Sequence, residues 1–312
     1  MRIMVAGATG ALGRFLVPQL VEAGHEVVGM TRSVGGVRPL RELGADAVLA
    51  DALDGAAVKD AVAKTEPEVV VHQLTALKGD LDLKRFDRDF AMTNRLRTEG
   101  TDHLLAAAKA AGVRRFVAQS FLGWNLDRTG GPTKTEDDPL DPHPVPSTVE
   151  SMKAIKYLES AVTADDAIEG VVLRYGGFYG PGSIIGRGGM MVEQVRKRKL
   201  PIIGDGSGVW SFIHFDDAAS ATVRAVDQGE PGIYQIADDE PARASVWIPE
   251  LARILGAKPP RKVPVWLGRL AAGDLGVSMF TQVRGGDNTK AKRELGWTLR
   301  YPTWRDGFRN AL

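Results

Sequence analysis

The chain has 312 residues, of which 44% are hydrophobic and 25% charged; its formal net charge is +1 and it has no cysteine. That length can bury a large core, while the near-neutral charge leaves no electrostatic footprint for nucleic acid or an anionic membrane. The lack of cysteine excludes disulfides, thiolate catalysis and cysteine-ligated metals, and the five scattered histidines lack zinc-ligand spacing.

Glycines interrupt the opening apolar run, so no signal peptide is expected there, and no stretch approaches the roughly 20 apolar residues of a membrane span. These features lead us to expect a metal-free cytoplasmic protein with a small-molecule substrate. Along the chain, short β-branched runs at 3–6, 27–30, 47–50, 69–72, 116–118 and 171–173 read as strands. Helical patterns at 12–23, 55–63, 94–111 and 148–163 lie between them. This alternation predicts an α/β chain with a doubly wound parallel sheet covered by helices on both faces. The second half is richer in glycine, proline and aromatic residues and reads as a smaller C-terminal substrate lobe. We expect the dinucleotide domain over 1–174, with 212–240 contributing to it, and the lobe over 175–211 and 241–312. The stretch 131–146 is the most loop-like and directly precedes the helix at 148–163.

The first strand runs into Gly7-Ala8-Thr9-Gly10-Ala11-Leu12-Gly13 and then a helix. Glycines in that setting let backbone N–H groups approach a pyrophosphate at a helix N-terminus, so Gly7, Thr9, Gly10, Ala11, Leu12 and Gly13 are expected against a dinucleotide. The second strand ends in Thr31-Arg32, with no carboxylate to grip ribose hydroxyls. Arg32 is either a partner for a 2′-phosphate or a solvated surface arginine; the first reading favours NADP, with NAD as the alternative. Asp51, followed by Ala52, either accepts from the adenine amino group or caps the next helix.

Further motifs carry a family resemblance: Val70-Val71-His72, Gly100-Thr101, Tyr179-Gly180-Pro181-Gly182 and Phe212-Ile213-His214-Phe215-Asp216-Asp217, with the glycine spacing above. Nearly the whole chain resembles the extended short-chain dehydrogenase/reductases, the NAD-dependent epimerase/dehydratase group. The resemblance implies a Rossmann sheet, a nicotinamide cofactor, and a homodimer formed through the helices near 94–111 and 148–163. It also implies that Leu74 and Thr75 lie along the cofactor and that Tyr175, Gly177 and Phe178 stand beside the nicotinamide. The group's chemistry uses a Tyr-x-x-x-Lys pair plus a hydroxyl. Lys153 matches the lysine, but Val149 stands at the tyrosine position, and the hydroxyl falls on Phe121 unless a one-residue shift restores Ser120.

Lys153 and Ser120 are therefore the expected catalytic and cofactor-contacting groups, with Lys153 either a general acid–base or only an anchor. Phe121, Trp124, Val149 and Trp210 are expected against the substrate. Trp210 stands about where nucleotide-sugar enzymes carry an arginine, which favours an apolar or aromatic substrate. Two functions are consistent with this pattern: an atypical NAD(P)-dependent oxidoreductase acting on an aromatic or apolar carbonyl or alcohol, or a dinucleotide sensor without turnover.

Overall fold

The computed structural model describes residues 1–77, 82–164 and 166–312. Seven strands form one parallel sheet: β1 (Arg2–Ala6), β2 (Glu26–Thr31), β3 (Asp46–Leu49), β4 (Val69–His72), β5 (Arg115–Phe121), β6 (Glu169–Tyr175) and β7 (Gly232–Ile236). Their order is β7-β6-β5-β4-β1-β2-β3, so β1 stands between β2 and β4, where the winding reverses. Side chains alternate across each strand. Ile3, Val5, Val69 and Val71 face one layer, built with α1 (Gly13–Glu22) and the helix Phe215–Ala225. Met4, Ala6 and Val70 face the other layer. There they meet α2 (Gly55–Thr65), α4 (Glu99–Ala110) and α5 (Val149–Thr163). Burial on both faces explains why β1 and β4 read as continuous apolar runs.

The helical pattern at 94–111 resolves into two helices, α3 (Phe86–Arg97) and α4, joined at Thr98 with φ −101° and ψ −83°. The Thr98 hydroxyl donates to the Asn94 carbonyl at 3.1 Å, a side-chain bond that competes with the helical ladder. The first two turns of α3 escape a periodicity reading because Phe86 and Phe90 stand among charged residues. Within 131–146, Thr133–Lys134 pairs in parallel with Gly285–Gly286, so that stretch is partly a sheet edge.

The C-terminal lobe packs Trp247, Trp304, Phe212 and Phe308 into its own core. A separate apolar cluster joins the lobe to the sheet: Phe86, Phe90, Trp124, Met152, Ile155, Leu275 and Val283, with Phe121 and Trp210 against it. The start of α5 is fixed by a side chain of α3. Asp87 accepts from the Glu150 N–H at 2.9 Å, the Ser151 N–H at 2.8 Å and the Ser151 hydroxyl at 2.6 Å. This carboxylate satisfies helix N–H groups that have no intrahelical partner, and it sets which residues of α5 face inward.

Candidate active site

In an open doubly wound sheet, ligands bind outside the carboxyl ends of the strands, at the reversal point between β1 and β4 here. The loop following β1 is shaped for that role. Gly7 has φ +96°, and a Cβ on it would lie 2.6 Å from the Gln73 carbonyl oxygen; one on Gly13 would lie 2.2 Å from that of Ala8. Leu12 opens α1 with no side-chain cap, while Thr9, Gly10 and Ala11 are exposed. The first turn of α1 thus offers backbone donors and the positive end of its dipole to an anion, an arrangement that fits a dinucleotide pyrophosphate.

The residues expected at the adenosine end follow two adjacent strands, β2 and β3, whose ends pair at Thr31 and Leu49. Thr31 is buried at the end of β2 and Arg32 is exposed beside it. Asp51 accepts from the Leu53 N–H at 3.0 Å. The cap of α2 is Asp54, not Asp51: it accepts from Ala56 and Ala57. Ala52 is buried beneath that turn. Leu74 and Thr75 follow β4, and Leu74 donates its N–H to His72 Nδ1 at 3.2 Å.

That contact defines the state of His72. With Nδ1 accepting, Nε2 carries the proton and faces the Leu96 carbonyl at 3.3 Å and the Thr101 hydroxyl at 3.2 Å. Burial pushes its pKa down to about 4, because a charged imidazolium would lose its hydration. The unfolded chain therefore takes up this proton first. The stability that neutral His72 contributes is complete above pH ~6.5, and about 3 kcal/mol of it is lost as pH falls to about 4. Chemical denaturation across that range should show a stability slope about one proton smaller in His72→Gln than in the wild type. Parallel slopes would overturn the assignment.

At the nicotinamide end the structure rearranges several expectations. Tyr175 is directed into the core: its hydroxyl bonds the Gln73 amide at 3.1 Å and the Thr222 hydroxyl at 2.6 Å. Burial pushes this phenol's pKa well up, so the hydroxyl stays protonated and bonded within the core. Gly177 and Phe178 are half-buried beyond it, with Phe178 stacked on Phe215 at 4.9 Å.

Lys153 is not brought to Ser120. Its side chain is 68% exposed and pairs with Glu150 at 2.7 Å. The reason is helical phase: the buried positions of α5 are Ser151, Met152, Ala154, Ile155, Leu158, Glu159 and Val162, and residue 153 falls on the opposite side. Val149 is half-buried and lies outside the aromatic cluster. The inward residues spaced by four are Ser151, Ile155 and Glu159, none of which the motif reading singled out.

Ser120 is buried and donates its hydroxyl to Glu159 Oε1 at 2.6 Å. Glu159 also receives Arg174 through Nε at 2.8 Å and Nη2 at 2.7 Å, a forked buried ion pair. A glutamate in the apolar phase of a helix was the available sequence signal for this pair.

Three of the four expected substrate residues do meet. Phe121 stacks near Trp124 at 6.0 Å, Trp124 stands edge-on to Phe86 at 5.1 Å, and Phe86 stacks on Phe90 at 4.0 Å. Trp210 closes the side toward the lobe, with its indole N–H donating to the Met279 carbonyl at 2.7 Å. Phe86 and Phe90 were missed with the first turns of α3. The described residues contain no cluster of metal-ligating side chains, and none of their helices is long and apolar enough to cross a membrane.

A glycine loop at the reversal point, an aromatic cluster at the carboxyl edge and a small second lobe are the features of a dinucleotide-binding protein. The chain belongs to the NAD dependent epimerase/dehydratase family, whose model matches residues 3–237. It is similar to a Streptomyces 3-diazoavenalumate denitrifying reductase, 45% identical over 310 residues covering 98% of this chain and 99% of that protein. In fold it resembles Thermotoga maritima UDP-glucose 4-epimerase with UDP-glucose, with a TM-score of 0.78 and 22% identity over 100% of this chain and 97% of that one. It also resembles a human epimerase family protein with NADPH, with a TM-score of 0.74 and 20% identity over 100% and 99% of the two chains.

Proposed function

We infer that the chain is an NADP(H)-dependent reductase whose substrate is an aryl diazonium, an electrophile that accepts hydride without needing a proton. The carrying observation is an aromatic cluster facing a helix that offers it no proton donor. Toward that cluster α5 presents Met152 and Ile155, and the nearby hydroxyls of Ser120 and Ser151 each donate to a carboxylate. Reduction of a carbonyl makes an alkoxide that must be protonated. Replacement of a diazonium group by hydrogen has no such step, and the relative of 45% identity is named for a denitrifying reduction of a diazo compound. A sensor without turnover has little use for an aromatic cluster joining the sheet to the lobe.

When bound, the cofactor supplies a hydride to the aryl carbon as the C–N bond breaks; dinitrogen leaves with that bond's electron pair and no proton is exchanged. The loop at Gly7, Gly10 and Gly13 holds the pyrophosphate, and Arg32 beside Thr31 selects the 2′-phosphate. Asp51 receives the adenine amino group. Phe121 and Trp124 stack on the aryl ring, while the apolar walls of Phe86, Phe90 and Trp210 exclude the water that would otherwise compete for the same carbon.

The test is NADPH oxidation with an arenediazonium salt, with the enzyme-free rate subtracted. The expected result is at least about tenfold acceleration, evolution of dinitrogen, and transfer of deuterium to the arene from 4-deuterated NADPH but not from D2O. Lys153→Met is expected to retain turnover within about threefold, since its exposed ammonium reaches Glu150 and not the cluster. Turnover of aryl ketones with none of the diazonium would overturn the reading.

A further inference from the structure

Arg97 ends α3, is only 6% exposed, and makes no hydrogen bond or ion pair among the described residues; its Nη1 is sealed from solvent without a partner. Buried guanidiniums are ordinarily paired. Glu159 is the carboxylate whose charge bears on Arg97, yet its oxygens are taken by Arg174 and Ser120. Two guanidiniums thus share one carboxylate. Burial lowers the pKa of Arg97 only to about 10, so it is charged at neutral pH.

Its position is defined from three sides. His72, whose titration feels the Arg97 charge, ends β4. Thr93, one turn before Arg97 on α3, accepts the Ala76 N–H at 3.0 Å and so ties this helix to the segment following β4. Glu159 stands at the end of β5 through Ser120. The guanidinium therefore lies at the carboxyl edge between β4 and β5. A dinucleotide whose adenosine end meets β2 and β3, and whose pyrophosphate meets the β1 loop, passes its other half over β4 and β5.

We propose that Arg97 is the cofactor-positioning cation of this protein, donating from the edge of its guanidinium other than the sealed Nη1 to the ribose hydroxyls of the nicotinamide nucleoside. It stands in for an ammonium from α5, where the inward position is Ile155 and Lys153 faces solvent. The proposal rests on the dinucleotide reading but not on the diazonium reading, because its test measures binding alone.

Calorimetric titration of wild type and Arg97→Met is done with NADPH paired with adenosine 2′,5′-bisphosphate, and with NADH paired with ADP. Each second ligand lacks the nicotinamide nucleoside. Arg97→Met is expected to weaken the tighter-binding dinucleotide about tenfold or more, leave its truncated partner unchanged, and be restored to within about threefold by Arg97→Lys. Because the guanidinium is unpaired in the free protein, the unliganded melting temperature of Arg97→Met should equal or exceed that of wild type, with a smaller rise on adding dinucleotide. Unchanged dinucleotide affinity, an equal loss for the truncated ligand, or a sharp fall in the unliganded melting temperature would each overturn it. Failure of wild type to bind either dinucleotide would overturn the cofactor reading and this proposal together.

Discussion

Replacing Glu159 by leucine is expected to destabilise the protein by about 3–5 kcal/mol, read from urea unfolding. Arg174 and Glu159 have side-chain exposures of 4% and 6% and are joined in a fork, so removing the acid leaves a guanidinium buried without its counter-charge. Arg97 aggravates the loss, since its charge is offset by the same carboxylate. Ser120 also loses its acceptor. Removing both partners should undo most of the damage. A Glu159→Leu/Arg174→Leu variant removes both members of the fork and leaves only Arg97 and Ser120 without the carboxylate, and buried ion pairs replaced by apolar residues are often neutral in stability. The double variant is expected to recover at least half of the single variant's loss. If it is as unstable as Glu159→Leu alone, the pair is not the source of the effect.

Gly13→Val is expected to abolish dinucleotide binding and to lower stability by about 3 kcal/mol or more. A Cβ at residue 13 would stand 2.2 Å from the Ala8 carbonyl oxygen and 2.5 Å from its carbon, both backbone atoms that no side-chain rotation can move. Only a shift of α1 relieves the overlap, and α1 is packed through Leu16, Val17 and Leu20 into the sheet's main core. The same shift would withdraw the helix N-terminus from the pyrophosphate position. Gly131→Ala serves as the control, because its nearest neighbour would be the Thr133 carbonyl at 3.8 Å. Equal affinity of both variants for NADPH and NADH, measured by calorimetry, would show that the close packing at Gly13 does not shape the site.

The aromatic cluster shows how far a linear reading reaches. Phe121, Trp124 and Trp210 were each singled out along the sequence, and the structure brings them to one cluster. Phe86 and Phe90 were not, because an i,i+4 aromatic pair among charges carries little apolar periodicity. Lys153 turns toward Glu150 and solvent for a different reason. A Tyr-x-x-x-Lys match fixes spacing but not rotation, and rotation is set here by Asp87 of another helix holding the start of α5.

By itself the sequence determined the strand–helix alternation, the parallel sheet and the glycine loop. Each leaves a mark between near neighbours in the chain: the period of burial, and a strand–turn–helix in which Gly13 lies against Ala8. Only the tertiary structure decided which face of α5 meets the site, that Ser120 serves Glu159, and that Arg97 stands buried without a partner. Those outcomes depend on side chains from α3, β5, β6 and α5 arriving at one place. Charge compensation between Glu159 and guanidiniums as far away in the chain as Arg97 leaves no periodic trace along the sequence.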